Sequence, residues 1–406
     1  GMSLYVAGKS IFTERAAFWG TLIFLVHPGY SEAVYVVTYR EDLLCALFLL
    51  WTLLAVMRSK SLPAGIYFSA ALFSKETALV FPLFVFLAYP EKSESFRRIF
   101  LTLLVAEAIY VLVRFSILPG PHFSIDLERN MLLEQGAIFR NYFRILVCPW
   151  RLSVDHVLST DAWAASSLAG ILLAIVMLIG TVALWRKGRA VAGMWFFIFL
   201  LPVLNIVPIG HISAERYLYI PFLFLAPGLG FLMVSRERYS VAGKALMLLI
   251  LFLFGARTFY RGFDFRDYAT LYRKEIEVNP RSMTAAWGLG QTALIAKEYD
   301  ESKMWFKRAL EISPYFDPVY VDLGKAEYES GNRKKAEQWF EAARALEPHD
   351  PRAILSLAGM RQESGDTAAA LELYREAVLY EPNPTVMTQN FMNYYRDAKR
   401  QYSAIH

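Results

Sequence analysis

Residues 283–382 repeat at a fixed interval of 34, and a period of that length leaves a chain few folds to choose from. Gly290 and Gly324 stand 34 apart, as do Phe306 and Phe340, Ala309 and Ala343, and Pro314, Pro348 and Pro382 in turn. Each unit has a small residue (Gly290, Gly324, Ala358), then an aromatic (Phe306, Phe340, Tyr374), then an alanine (Ala309, Ala343, Ala377). A small residue where two helices meet, an aromatic in their groove and an alanine at their closest contact describe a helical hairpin that ends at a proline. A lone hairpin cannot bury its own apolar face, so the units must stack.

An interval of 34 is the tetratricopeptide (TPR) period. We read repeats at 283–314, 317–348 and 351–382. Pro280 lies 34 before Pro314, so 266–280 reads as a half repeat, and 384–402 reads as a closing helix. Solenoids need capped ends, which these two segments supply. The concave face of such an array takes extended or helical peptide segments. Asn332, Arg333, Gln362 and Glu363 lie near helix junctions where a ligand would pass, although a solvated surface is the plainer reading of them.

The chain before the array belongs to a different solvent. It is 56% hydrophobic overall, yet residues 261–406 carry 20 Lys+Arg and 22 Asp+Glu, which leaves 22 and 15 for residues 1–260. The apolar excess is therefore concentrated in 1–260, a polytopic membrane domain of about nine hydrophobic helices: 16–26, 43–57, 64–73, 77–89, 99–118, 165–185, 191–208, 217–234 and 245–260. A straight span needs about 20 apolar residues. Shorter segments end where backbone leaves the helix beside a protein-lined cavity. The predicted fold is all-α, a membrane domain over 1–260 followed by a TPR domain over 261–406.

Net charge is +5, but its basic excess sits in short connections between apolar segments, so nucleic-acid binding is not suggested. Arg58 and Lys60, Lys92 with Arg97 and Arg98, Arg186 with Lys187 and Arg189, and Arg236 with Arg238 and Lys244 mark the cytoplasmic side by the positive-inside rule. Alternation then puts 27–42, 74–76, 119–163, 205–216 and the repeats on the extracytoplasmic side. Arg129, Arg140, Arg144 and Arg151 run against the rule, and 131–149 reads as an amphipathic helix in the interface. Two cysteines, Cys45 and Cys148, make no disulfide framework.

Every unusual polar cluster of the membrane half falls on that outer face. The first is His27-Pro28 with Glu32 and Tyr39-Arg40-Glu41-Asp42; the second is Ser74-Lys75-Glu76. The third is Trp150-Arg151 with Asp155-His156, and the fourth is Asn205, His211 and Glu215-Arg216-Tyr217-Leu218-Tyr219. Ionisable groups beside a span are costly unless they pair or face a cavity. Lys75 and Glu76 read either as a self-neutralising pair or as part of a site, and Trp150, Tyr217 and Tyr219 either as interfacial aromatics or as its rim. No zinc motif, nucleophile elbow or phosphate-binding glycine loop is present, and no metal is expected.

His27-Pro28-x-x-x-Glu32, Arg40-x-Asp42-Leu43-Leu44, Ser74-Lys75-Glu76, Pro149-Trp150-Arg151-Leu152-Ser153 and Ala214-Glu215-Arg216-Tyr217-Leu218-Tyr219-x-Pro221, followed by TPRs, resemble the transmembrane and TPR repeat-containing O-mannosyltransferases. The resemblance covers nearly the whole chain. It implies an inverting GT-C type protein O-glycosyltransferase. Such an enzyme passes a sugar, mannose in this family, from a polyprenyl-phosphate carrier to a protein Ser or Thr on the extracytoplasmic or lumenal face, with no cofactor. The TPRs would then bind the acceptor protein or peptide. The family has an additional N-terminal span and an outer loop with an acidic pair before the His-Pro motif. His27 comes too early for these, so the chain reads as lacking both, and Gly1 before Met2 reads as a tag remnant. Either the catalytic base is missing from these residues or another acid replaces it.

Transfer to a hydroxyl needs a carboxylate to take its proton and cations to hold the departing phosphate. Arg216 is the leading phosphate ligand, because a guanidinium offers a planar fork to phosphate oxygens. Lys75 is the second, and Arg151, Glu215 and His27 complete the expected substrate-binding set. Glu32, Asp42 and Glu76 are candidates for the base or for orienting the cations, with Asp155 and Glu215 behind them. The alternative reading is a non-catalytic membrane-anchored scaffold whose TPRs gather envelope proteins; a transporter ranks third, since the two halves show no symmetry.

Overall fold

In a computed structural model, residues 1–88, 93–117, 131–154, 163–185, 191–205, 213–235 and 241–380 are described. Every regular element among them is helical, as the all-α reading expects. Asp155, His156, His211 and the closing segment 384–402 lie outside the described residues. The chain forms two compact units, Gly1–Arg266 and Asp267–His406. The division falls beyond the 260/261 boundary read from the sequence, because the last apolar helix continues through Arg261 to Asp264.

Unit 1 contains α1 (Met2–Ile11), α2 (Glu14–Val26), α3 (Ser31–Tyr35), α4 (Arg40–Met57), α5 (Ser61–Ser74), α6 (Phe81–Ala88), α7 (Glu94–Ile117), α8 (Met131–Val147), α9 (Trp163–Trp185), α10 (Val191–Leu200), α11 (Tyr219–Ser235) and α12 (Val241–Asp264). Among the described residues, four helical stretches are long and apolar enough to cross a membrane: Glu94–Ile117, Ala165–Ala183, Glu215–Val234 and Val241–Asp264. Shorter apolar helices cover Ser61–Ser74, Glu76–Ala88 and Ala192–Val203. The apolar run through 64–89 is not one helix. Lys75 is extended (φ −161°, ψ 138°), and a 3-10 turn over Glu76–Val80 follows it.

Two features of unit 1 decide where its polar groups go. First, α2 and α11 run antiparallel at backbone contact. A Cβ on Gly20 would stand 2.5 Å from Pro227 Cα, and one on Gly230 would stand 2.1 Å from the Ala16 carbonyl oxygen. Only glycine permits that approach, and it brings the end of α2 against the start of α11, where Phe24 and Tyr219 meet at 5.3 Å. Second, α4 and α5 form a hairpin reversed at Ser59 (φ 55°), so the first turn of α4 and the last of α5 share an end. Phe68, Phe81, Phe84, Phe199 and Phe224 fill the space between these pairs, with Phe199 stacked on Phe224 at 4.2 Å. A second cluster, Ile138, Tyr142, Ile145, Leu200 and Leu218, ties α8 and α10 to the lead-in of α11.

Unit 2 realises the 34-residue period. A leading helix, α13 (Tyr268–Val278), precedes the hairpins α14 (Met283–Ile295) with α15 (Tyr299–Ile312), α16 (Asp317–Glu329) with α17 (Arg333–Leu346), and α18 (Pro351–Glu363) with α19 (Thr367–Tyr380). A Cβ on Gly290 would lie 2.4 Å from the Phe306 ring, and one on Gly324 would lie 2.5 Å from that of Phe340. Ala309, Ala343 and Ala377 are buried at the equivalent position of each second helix. Gly324→Val should therefore cost about 1–3 kcal/mol through overpacking. Amide hydrogen exchange should be accelerated in α16 and α17 and unchanged in α4 and α5.

Candidate functional site

The four ends that unit 1 gathers each bring one ionisable group. α2 stops at Val26, and the chain turns through Pro28–Tyr30 into the short α3, which carries Glu32. α4 opens with Asp42 in its first turn, α5 closes on Lys75, and a 3-10 turn over Glu215–Leu218 carries Arg216 into α11. The turn after α2 is held by its own residues. His27 Nδ1 accepts from the Gly29 N–H at 3.1 Å, and a Cβ on Gly29 would stand 2.6 Å from Ile145.

Arg216 Nη1 donates to Glu32 Oε1 at 2.5 Å, and the Arg216 backbone N–H donates to Glu32 Oε2 at 3.2 Å. Both side chains are buried. The guanidinium lies 4.0 Å from the ring centre of Tyr39 and 4.9 Å from that of Tyr217. Lys75 Nζ meets Asp42 Oδ1 at 2.6 Å and stands 5.7 Å from the Tyr217 ring. Asp42, Lys75, Tyr217, Arg216 and Glu32 thus form one continuous run of contacts. Burial pushes the Glu32 carboxyl up, and the Arg216 charge draws it back. Asp42 Oδ2 is buried and accepts no hydrogen bond from any described residue, an unusual state for a carboxylate oxygen.

The other expected site residues lie around this run rather than in it. Glu76 does not pair with Lys75. The extended backbone at Lys75 sends the two neighbours different ways, and Glu76 meets Arg114 at 3.1 Å instead. Ser74, Lys75, Glu76, Tyr110 and Arg114 line a cavity of ≈ 250 Å³ beside the run. Glu215 faces away from Arg216. Its Oε1 accepts the Ser153 N–H, and its Oε2 lies 3.6 Å from Arg261 Nη2. Arg151 is exposed, and its carbonyl accepts from Arg144 Nη1 at 2.9 Å.

His27 is buried among Phe222 (4.7 Å), Phe254 (5.1 Å) and Tyr30 (5.7 Å), with Nε2 3.0 Å from the Leu146 carbonyl oxygen. Both ring nitrogens are engaged within the chain. Burial drives this imidazole down to about 4. Below its ordinary value of about 6.5 the unfolded chain takes up a proton that the folded chain refuses. Stability should therefore be lost as pH falls from about 6.5 to about 4, by about 3 kcal/mol in all. Melting curves between pH 7 and 4 should show that loss, reduced in His27→Asn.

Arg261 is the group that sequence reasoning missed. It is buried, bridges Glu215 and Asp264 (3.0 Å), and stacks on Phe265 at 5.0 Å. In the sequence it reads as the first residue beyond the apolar segment 245–260. The usable signal was its spacing: Arg257, Arg261 and Asp264 recur at four and three residues, one face of a helix that had not yet ended.

Tetratricopeptide repeat family models match residues 255–315 and 293–360. The Protein O-mannosyl-transferase F38B6.6 of Caenorhabditis elegans is 25% identical over 299 residues, 68% of this chain and 43% of that protein. Protein O-mannosyl-transferase TMTC4 of Homo sapiens is 25% identical over 68% of this chain and 46% of its own. The resemblance read from the sequence agrees with these matches: this chain is similar to protein O-mannosyl-transferases over about two thirds of its length. Tmtc1 of Drosophila melanogaster, another protein O-mannosyl-transferase, is 31% identical over 32% of the chain and 16% of its own length. The chain spans less than half the length of these relatives. Among solved structures, yeast Tom70 aligns over 88% of this chain and 70% of its own at 15% identity, with a TM-score of 0.27, too low to carry an argument.

Proposed function

We propose that this chain is the membrane and repeat portion of a protein O-mannosyltransferase-type enzyme, transferring mannose from a polyprenyl-phosphate carrier to protein Ser or Thr on the extracytoplasmic face. The observation that carries the reading is the run from Asp42 to Glu32. A membrane anchor has no need for a buried ion pair joined through Tyr217 to a second, partly buried one, while transfer from a lipid phosphate needs both charge types in one place. Arg216 is the first phosphate ligand, its plane set by Tyr39 and its edge by Glu32. Lys75 is the second, reached from the cavity beside it. Asp42 is best suited to accept the hydroxyl proton, since Oδ1 is oriented by Lys75 while Oδ2 has no hydrogen-bond partner among the described residues. Glu32 orients Arg216. The departing lipid phosphate supplies the driving force, so no cofactor is needed, and the TPR unit receives the acceptor.

The test is mannosyl transfer in proteoliposomes supplied with polyprenyl-phosphate mannose and an acceptor peptide, run on this chain and on any longer in-frame version of it. Absence of transfer from every version would favour the membrane-anchored TPR scaffold. Sidedness is tested separately. Tyr315 is 85% exposed, so Tyr315→Cys in a Cys148→Ser background should react with a membrane-impermeant maleimide on sealed cells or on vesicles of lumen-out orientation. Labelling only after lysis would place the repeats on the cytoplasmic side.

A further inference from the structure

α7 is one of the helices long and apolar enough to cross a membrane, and it carries a carboxyl group deep within its length. At about 1.5 Å per residue, Glu107 stands about 20 Å from Glu94 and about 15 Å from Ile117, too deep to reach headgroups at either end. Glu107 is half-buried and makes no ion pair or hydrogen bond with any described residue. Arg114, two turns on and on the same side of the helix, is taken by Glu76.

Position around the helix says what is lacking. Leu103, Ala106 and Tyr110 are buried, Tyr110 against Phe73 of α5. Leu104, Ala108 and Leu112 form an exposed ridge. Glu107 lies at the edge between stripe and ridge. Hydrocarbon cannot satisfy a carboxyl group, and acids inside spans pair with other polar groups. The small Ala108 on the ridge beside it lets another helix come close.

We propose that this edge of α7 docks a second membrane helix carrying a lysine or arginine at the depth of Glu107. Charge complementarity selects that occupant over a second copy of this chain. Copies related by an axis along the membrane normal would set Glu107 against Glu107, like against like.

The full chain in lipid nanodiscs should be titrated with fluorescent Leu/Ala transmembrane peptides that differ only in their central residue: arginine, leucine or glutamate. The arginine peptide should bind roughly tenfold tighter than the leucine peptide. Glu107→Leu should erase that preference, Glu107→Gln should keep part of it, and Glu107→Lys should move it to the glutamate peptide. Glu107→Lys also guards against misfolding, since a collapsed protein would not switch its preference. Equal binding of all three peptides, a preference that survives Glu107→Leu, or self-association that Glu107→Leu abolishes without any preference for the arginine peptide would each overturn the proposal.

Discussion

Glu32→Ala is expected to lower the unfolding free energy of unit 1 by about 3–5 kcal/mol, the usual cost of removing one partner of a buried ion pair. Arg216 stays charged under all ordinary conditions, and it is buried with Glu32 as its contacting counter-charge. Truncation also removes the acceptor of the Arg216 backbone N–H, so two buried donors lose their bonds together. Asp42 cannot move in, because Lys75 holds it at 2.6 Å. Unfolding in mixed micelles with increasing denaturing detergent, followed by Trp fluorescence, measures the loss. The double variant Glu32→Ala/Arg216→Met should recover much of it, since the uncompensated charge goes too. A loss under about 1 kcal/mol in the single variant would mean that Arg216 reaches water or another anion.

Arg216→Ala is expected to lower mannosyl transfer about a hundredfold or more in a version of the protein shown to be active. Losing one preorganised donor that holds developing charge costs about 3–4 kcal/mol at the transition state. Arg216→Lys should restore part of the rate, because it returns a point charge but neither the fork nor the flat face against Tyr39. Since Arg216→Ala also leaves Glu32 unpaired, its rate is to be read at a temperature where the melting curve shows the protein folded. Tyr39→Leu separates the two roles. It keeps the ion pair and removes the stacking surface, and should slow transfer by less than Arg216→Ala does. Unchanged transfer in Arg216→Ala would remove Arg216 from the mechanism.

The features legible beforehand are those whose cause is local. The repeat period survives in the letters because each hairpin solves the same contact again, glycine against ring, at Gly290 with Phe306 and Gly324 with Phe340. The apolar runs and the side-by-side polar clusters were legible for a similar reason. Segments that alternate in direction must return their connecting residues to shared ends, and Glu32, Asp42, Lys75 and Arg216 did arrive at one.

Partners were not legible. Glu32 and Arg216 are 184 residues apart, and nothing near either names the other. Lys75 and Glu76 are adjacent and opposite in charge, yet one extended residue sent Lys75 to Asp42 and Glu76 to Arg114. Arg261 was lost because an apolar helix continued past the point where its composition turned polar. By itself, the sequence determined the repeat hairpins, most of the long apolar helices and which ends collect charge, though not the short α1 and α3, because backbone hydrogen bonding and hydrophobic burial act on residues close in the chain. Only the tertiary structure decided which charge neutralises which. That choice rests on angstrom-scale approach between distant helices, set here by Gly20 and Gly230, and electrostatic pairing in a buried site changes steeply over such distances.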